Sequence, residues 1–486
     1  MSSPPPGGTA RIPGICVHLR PIPFPVSTLY AEDLAGSVNV FHVLYHEFFE
    51  RGIRYFLPNA RIEISGSVVF RTSLDLVSRN DGTLALSWFG QEYIVTNPRG
   101  SFTEDEIRII ISVGAVLSAR FRGFFNTTTA AATLALFRGL PEDRYISAFL
   151  DPFTYLDDNQ VPTRNDYVAD AIEVLRESSL LTFENRRIST GCLLFGAGPK
   201  HHPDLCHKSP EASPEAIAYT STLTSIKSFH RLCDGIHTLF LVNRGGLLTD
   251  LVDVRDWTCM YNDADLPAPT AHLYHAHCLA TLQGGHICMV LTPNGEIKVM
   301  AHGTQIFNFL GGRWRLTDTV HKFDAWREGV GNRALAERLF TAALNLAEDR
   351  RGGLFVVLDD PKTAQNFVPL GELLDVPQTP RVDAQDYTTK DQIHYLLRHK
   401  QVLAMAPALL ETIARMDGSL VMDRGSNLMA FGAILRNTSM AGSDDQILEG
   451  GRTTAAVGAS RFGNVLKISE DGFVAYYRKG ALVWEL

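Results

Sequence analysis

Two glycine-containing loops near the end of the sequence carry residue types that could bind a phosphate and a metal ion. The first loop consists of Asp417, Gly418 and Ser419, between a predicted helix and a predicted strand. Its carboxylate could bind a divalent cation or a ribose hydroxyl, and the adjacent glycine lets the backbone approach a ligand closely. Taken alone, this pattern is more typical of an acidic residue in an ordinary turn.

The second loop has the composition of an anion-binding helix start. Gly450 and Gly451 are followed by Arg452, Thr453 and Thr454, and then by a run of small residues that predicts a helix. Free N–H groups and the positive end of the helix dipole favour phosphate at such a position, and the guanidinium adds a charge-assisted hydrogen bond. Arg452 is the only cation that we expect in this loop. A flexible Gly-Gly turn is the alternative interpretation.

The elements around the two loops predict an α/β domain with a mixed central sheet, over residues 333–486. One predicted helix carries Leu335, Leu339, Ala343 and Leu346 on one face, and a second covers 408–416. An apolar strand over 354–358 comes between them. The remaining predicted strands are 419–423, 428–435, 465–469 and 473–478, the last two joined by an Asp-Gly turn. Alternation of helix and strand is typical of this fold class.

This order of elements and motifs resembles the nucleotide-binding domain of diadenylate cyclases. In that family the first loop reads D-G-A and the second reads G-T-R-H-R-A-A-x-G. Here residues 417–419 read D-G-S and residues 450–458 read G-G-R-T-T-A-A-V-G. The strand at 353–357 resembles the family's G-A-L-I-V, and residues 468–472 resemble its S-E-x-x-G turn.

The resemblance implies a reaction, a set of ligands and an assembly. Two ATP molecules are joined with release of pyrophosphate, as the 3′-hydroxyl of each attacks the α-phosphate of the other. Each of two facing domains holds one ATP, so a homo-oligomer is implied, with Mg²⁺ or Mn²⁺ as cofactor. Asp417 takes the catalytic and metal-binding role. The nucleotide-binding residues are Gly418, Ser419, Gly450, Gly451, Arg452, Thr453 and Thr454.

Besides Ser419, four positions in and after the second loop depart from the family pattern. Thr453 replaces a histidine, Thr454 an arginine, Gly451 a threonine, and Arg461 an acidic residue. Loss of one charge-assisted contact to a developing phosphate charge typically costs ~10²–10³ in rate. Two hypotheses therefore stand: an enzyme that makes cyclic di-AMP or a related dinucleotide, and a catalytically degenerate nucleotide-binding sensor module that signals by assembly. A scaffold that binds no nucleotide is the third.

Upstream of this domain we expect α+β sensor-like domains. The predicted units are a Pro-rich arm at 1–27, an α+β domain at 28–195 and a β-rich domain at 215–325. In the first domain we predict helices over 38–51, 104–120 and 166–181, and strands over 62–74 and 84–95. In the second we predict strands over 237–242, 247–252, 286–291 and 297–301, with a hairpin turn at Asn294-Gly295.

Several other residues with chemical potential have ordinary interpretations. Two clusters could bind zinc but lack the spacing of known structural sites: His201, His202, Cys206 and His207, and His272, His275, His277 and Cys278. Alternation in the second cluster suits a strand. Cys233 and Asp234 near His237 could suggest a nucleophile, although a helix end before a strand explains them equally. Trp314 and Trp326 are expected in the core.

Composition sets the remaining expectations. A net charge of −8 over 486 residues argues against broad nucleic-acid binding. No apolar run reaches the ~18 residues of a membrane helix, and residues 1–10 lack the apolar segment of a secretory signal. Seven cysteines without a C-x-x-C motif suit a reduced compartment. We therefore expect a cytoplasmic protein.

Overall fold

The computed structural model describes most of the chain and shows mixed α/β architecture, as predicted. The described residues are 34–125, 136–155, 166–196, 217–226, 229–259, 264–374, 394–436 and 450–486. Among these residues, no helix has both the length and the apolar composition needed to cross a membrane. The cluster that includes His201 and Cys206 lies outside the described residues.

Among the described residues, the first part of the chain forms four helices and a four-stranded antiparallel sheet of order β1-β4-β3-β2. The helices are α1 (Leu34–Phe56), α2 (Glu104–Phe125), α3 (Pro141–Leu150) and α4 (Tyr167–Ser179). The strands are β1 (Arg61–Ser67), β2 (Asp75–Asn80), β3 (Thr83–Trp88) and β4 (Gln91–Thr96).

Local signals explain where two of these elements begin and end. Thr103 accepts the Glu106 N–H at 3.1 Å, and the Glu106 carboxylate accepts the Thr103 N–H at 3.0 Å, which forms a reciprocal cap at the start of α2. The single strand predicted over 84–95 is wrong. Phe89 and Gly90 both have positive φ, 46° and 76°, so the chain turns there and forms a hairpin.

The middle of the chain forms an eight-stranded sheet of order β14-β13-β12-β11-β7-β9-β10-β8, beside a two-stranded ribbon. The ribbon is β5 (Thr182–Phe183) and β6 (Arg186–Arg187). The sheet strands are β7 (Thr190–Leu194), β8 (Ile217–Ala218), β9 (Thr238–Val242), β10 (Leu247–Asp253), β11 (Ile287–Leu291), β12 (Ile297–Ala301), β13 (Thr304–Leu310) and β14 (Arg313–Leu316). The short helices are α5 (Phe229–Leu232), α6 (Val254–Thr258) and α7 (His275–Ala280).

This sheet crosses the predicted boundary between residues 195 and 215. Strand β7 belongs to the sequence segment before that boundary, yet it lies between β11 and β9, antiparallel to the first and parallel to the second. One apolar core also extends from Phe49 on α1 to Trp314 on β14. The segments 28–195 and 215–325 therefore share both a sheet and a core.

The predicted strand through the second histidine cluster is wrong. His272–Tyr274 form a 3-10 turn that leads into α7. Ala271, Tyr274 and Cys278 are buried at a spacing of three and four residues, which puts them on one face of a helix and outweighs the polar-apolar alternation. Within the described ranges, no group of three or more His, Cys, Asp or Glu side chains could hold a metal ion.

The last part of the chain is the predicted α/β domain. Helices α8 (Thr319–Val330), α9 (Arg333–Glu348), α10 (Ala364–Phe367), α11 (Pro407–Ala414) and α12 (Gly451–Ala459) surround one sheet. Its order is β17-β16-β15-β18-β19-β20, with β15 and β16 parallel and the other pairs antiparallel. The strands are β15 (Gly353–Leu358), β16 (Ser419–Asp423), β17 (Leu428–Ala433), β18 (Gly463–Ile468), β19 (Val474–Arg478) and β20 (Ala481–Glu485).

Two separate cores hold the helices on the faces of this sheet. Helices α8, α9 and α11 contribute to one core, which includes the fully buried Trp326. Helices α10 and α12 contribute to the other. Trp314 is also buried, at 1% exposure, so both tryptophans are core residues, as expected. The start of α12 is thereby fixed beside the edge of the sheet where β15 and β16 begin.

Candidate functional site

The two predicted loops meet at one edge of the α/β sheet. Strands β15 and β16 run parallel, so their first residues lie at the same edge, and the antiparallel β18 ends there because Gly353 pairs with Ile468. The 417–419 loop precedes β16, and the turn at 469–472 follows β18. Loops far apart in sequence are therefore brought together by strand order alone.

Arg452 joins these loops. Its Nη1 donates to Glu470 Oε1 at 2.9 Å, and its Nη2 lies 3.8 Å from Asp417 Oδ1. The Asp417 side chain is fully exposed, and the Glu470 side chain is two-thirds exposed. Pairs this exposed contribute little to stability, because water screens the charges. The two carboxylates therefore hold the Arg452 guanidinium between the loops, and an anion of higher charge, such as a phosphate, could replace them as its partner.

The backbone under Arg452 is glycine for a steric reason. A Cβ built on Gly352 would lie 2.0 Å from Arg452 Nη1, so any side chain there would displace the guanidinium. The 417–419 loop has the same requirement. Gly418 has φ of +107°, and its Cβ would lie 2.3 Å from the carbonyl carbon of Gly432 on β17. The glycine beside Asp417 thus serves packing against β17.

Ser419 has a structural hydrogen bond that the sequence did not predict. Its side chain is 2% exposed, and its hydroxyl donates to the carbonyl oxygen of Ala433 at 2.9 Å. The hydroxyl that we expected near the nucleotide is therefore engaged inside the sheet.

The start of α12 also differs in detail from expectation. Gly450 has φ of +96°, and its carbonyl oxygen accepts the N–H groups of Thr453 at 3.1 Å and Thr454 at 3.2 Å. These two N–H groups, expected to bind phosphate, are hydrogen-bonded within the first turn. Gly451 and Arg452 are the first two residues of the helix. At a helix start, the N–H groups of such residues have no acceptor within the helix.

Lys467 is a cation at this site that the sequence reasoning missed. It lies on β18, paired with Leu354 of β15 and Ala475 of β19, and its Nζ donates to Thr453 Oγ1 at 3.0 Å. The expectation that Arg452 is the only cation at the second loop is therefore wrong. A lysine in an otherwise buried, mostly apolar strand is the sequence signal that could have revealed it.

The other candidates have structural roles. Cys233 is buried, its thiol donates to the Thr238 carbonyl oxygen at 2.9 Å, and burial raises the pKa of the thiol. Partial burial raises the pKa of Asp234, but the N–H groups of Thr238, His237 and Ile236 and the His237 ring outweigh it and hold that pKa far below its usual range. A protonated buried thiol beside a carboxylate engaged in a turn is not an activated nucleophile.

Comparisons with known proteins give weak similarity only. No family model matches the sequence, and no curated protein matches it. Among solved structures, a hypothetical membrane spanning protein from Bacillus cereus is similar at 22% identity and a TM-score of 0.21, over 30% of this chain and 59% of that one. A double mutant of DacA from Staphylococcus aureus is similar at 17% identity and a TM-score of 0.18, over 33% of this chain and 87% of that one. The chain spans about three fifths of the first neighbour, and scores this low assign no family.

Proposed function

We propose that the 333–486 domain binds an adenine nucleotide, with its phosphates at the start of α12. The observation that carries this proposal is the convergence of Arg452 with Asp417, at 3.8 Å, from loops that are 35 residues apart in sequence. A cation and an exposed carboxylate at a glycine-lined edge suit a phosphate together with its metal ion. The resemblance of residues 417–418 and 450–458 to the diadenylate cyclase motifs supports adenine as the base.

Arg452 and Lys467 supply the charge for the phosphates. Arg452 belongs to the first turn of α12 and contacts Glu470, whereas Lys467 reaches the same turn from β18 and contacts Thr453. The N–H groups of Gly451 and Arg452 and the positive end of the helix dipole also favour a phosphate at this position. Binding exchanges the exposed Arg452–Glu470 pair for a charge-assisted bond to phosphate.

Asp417 is the residue that would hold a divalent cation. Mg²⁺ in nucleotide sites is typically bound by one or two carboxylates together with substrate phosphates and water, so it needs no preformed cluster of protein ligands. Asp417 fits this mode because its carboxylate is fully exposed and faces the start of α12. Mg²⁺ or Mn²⁺ would neutralise phosphate charge there.

Condensation of two ATP molecules to a cyclic dinucleotide is the second candidate, favoured by the exposed carboxylate of Asp417. It requires two copies of the domain facing each other, so it also requires a homo-oligomer. The threonines at 453 and 454 favour slow turnover, since neither can supply positive charge. The alternative is a catalytically degenerate module that binds the nucleotide, does not catalyse the condensation, and signals by assembly.

Titration calorimetry with ATP and Mg²⁺ tests the binding proposal. We expect Arg452→Ala to weaken ATP binding ~10- to 100-fold, as loss of an ionic hydrogen bond typically does. Arg333→Ala is the matched control, because Arg333 is an exposed arginine that pairs with Glu337 on α9. Equal ATP affinity in the wild-type protein and in Arg452→Ala refutes the proposal.

Product analysis separates the two candidates. The protein is incubated with ATP and Mg²⁺ or Mn²⁺, and cyclic dinucleotides are measured by mass spectrometry. We expect slow turnover, a rise on introducing Thr453→His and Thr454→Arg together, and loss with Asp417→Asn. Brisk turnover by the wild-type protein contradicts the degenerate module, whereas binding without product in every folded variant contradicts the enzyme.

A further inference from the structure

A cavity of about 360 Å³ lies where four segments of the chain meet, and none of its lining residues belongs to the α12 site. Its walls come from residues 55–60 at the end of α1, residues 97–106 before and within α2, residues 313–322 from β14 into α8, and residues 484–485 at the end of β20. This volume is within the range of small-molecule sites, ~300–1,000 Å³. The upstream sheet and the α/β domain both contribute to its wall.

Four cationic side chains line this cavity: Arg99, Arg313, Arg315 and Lys322. None of them has a carboxylate oxygen within 4 Å in the part of the chain that the structure describes. A cluster of like charges is unfavourable unless something of opposite sign offsets it. Four cations in one wall therefore favour a bound group of opposite sign.

Neutral groups hold the two arginines of β14 in place. Arg313 Nη2 donates to the Tyr55 carbonyl oxygen at 2.6 Å, with its guanidinium 4.9 Å from the Tyr55 ring centre. The Arg315 guanidinium lies 4.6 Å from the ring centre of Phe473. These contacts fix the orientation of each guanidinium without supplying a negative charge.

The other two cations are also oriented by neutral oxygens. Lys322 Nζ donates to the Glu485 carbonyl oxygen at 2.9 Å, and burial lowers the pKa of Lys322 to about 8. Arg99 donates to the Asn59 side-chain oxygen, from Nε at 3.2 Å and from Nη2 at 2.7 Å, when that amide is oriented to accept. All four cations are thus positioned before any ligand arrives.

Three carboxylates line the same cavity, and they do not cancel the four cations. Glu106 caps α2 through the Thr103 N–H, and burial raises the pKa of Glu106. The Glu485 side chain is exposed at the rim. Asp318, in a left-handed conformation with φ of 49°, is the remaining carboxylate. Four cations against three carboxylates leave the lining with an excess of positive charge.

We propose that this cavity binds a small organic or inorganic anion with more than one negative charge, carried on phosphate or carboxylate groups. Arg99, Arg313, Arg315 and Lys322 are its binding residues. The ligand bridges the upstream sheet and the α/β domain. Its wall includes Trp484, whose ring centre lies 6.0 Å from that of Phe340 in the α/β core. This proposal is independent of nucleotide binding at α12.

Titration calorimetry with citrate and with inorganic phosphate at pH 7 and constant ionic strength tests this site. The two probes distinguish carboxylate from phosphate chemistry. We expect at least one to bind in the millimolar range or tighter and to raise the melting temperature. Arg315→Ala and Lys322→Met each weaken that binding ~10-fold, as expected for loss of an ionic contact. Arg333→Ala, which removes an exposed arginine elsewhere, leaves it unchanged.

The variants locate the bound anion. Because phosphate could also bind at the start of α12, Arg452→Ala is measured in parallel and should retain the wild-type affinity. Binding lost in Arg452→Ala but retained in Arg315→Ala and Lys322→Met overturns the proposal. Failure of both probes to bind the folded wild-type protein also overturns it.

Discussion

Replacement of Lys467 by methionine tests the charge at the start of α12. Lys467 Nζ lies 3.0 Å from Thr453 Oγ1, within the first turn of the helix. A phosphate bound to the N–H groups of Gly451 and Arg452 would lie roughly 5 Å from this ammonium, because it would be one further hydrogen-bonded contact away than Thr453. Methionine keeps the length of the side chain and suits the neighbouring apolar strands.

Coulomb's law gives the expected size of the effect. At about 5 Å, two unit charges interact by about 1 kcal/mol in water and by about 3 kcal/mol at an effective dielectric constant of ~20. Lys467 is half-buried, so its environment lies between these limits. We therefore expect Lys467→Met to weaken ATP binding by about 1–2 kcal/mol, which is ~5- to 30-fold.

The assay is titration calorimetry with ATP and Mg²⁺ at two salt concentrations. The difference between wild type and Lys467→Met should shrink at high salt, because the Debye length falls from about 10 Å at 0.1 M to about 3 Å at 1 M. Lys467→Arg, which keeps the charge, should stay within ~3-fold of the wild type. If Lys467→Met binds ATP as tightly as the wild type at low salt while Arg452→Ala does not, the phosphates lie elsewhere and this reasoning is wrong.

Two further predictions concern stability. Gly418→Ala should lower the free energy of unfolding in urea by about 2–4 kcal/mol, because the new Cβ would lie 2.3 Å from the Gly432 carbonyl carbon at a φ of +107°. Gly371→Ala, with open space around its Cβ, is the control and should change this free energy little. Equal losses in the two variants would contradict the steric argument. Burial, with repulsion from Asp166, raises the pKa of Asp170 to about 6 from 3.8, so stability falls as pH rises through this window. Asp170→Asn should be more stable than the wild type by about 1–2 kcal/mol at pH 7.5, since two pKa units correspond to about 2.7 kcal/mol before solvent screening. This advantage should vanish below about pH 4, where Asp170 is protonated in both the folded and the unfolded state. An advantage independent of pH would show that charge is not its cause.

Local sequence signals predicted most of the elements of the α/β domain. The apolar face of α9, with Leu335, Leu339, Ala343 and Leu346, is fully buried, as its helical spacing predicts. Pro407 begins α11, where a missing N–H costs little. These features depend on neighbours within one or two turns of the chain, so the sequence alone is sufficient to define them.

Other features depend on contacts between distant residues. No local pattern indicates that β7 lies between β11 and β9, because strand neighbours are chosen by the packing of the whole sheet. The strand predicted through His272 to Cys278 is wrong for a related reason, since the side chains alternate in polarity while their burial follows helical spacing. Burial depends on tertiary contacts, and here it favours the 3.6-residue period of a helix over the two-residue period of a strand.

The candidate site divides in the same way. The sequence by itself determined the glycine-flanked Asp417 and the Arg452 helix start, because both are patterns of consecutive residues. Only the tertiary structure decided that the Ser419 hydroxyl turns inward to Ala433 and that Lys467 reaches Thr453. The register of β18 against β15 carries Lys467 to this edge, and register is fixed by pairing between strands more than 100 residues apart in sequence.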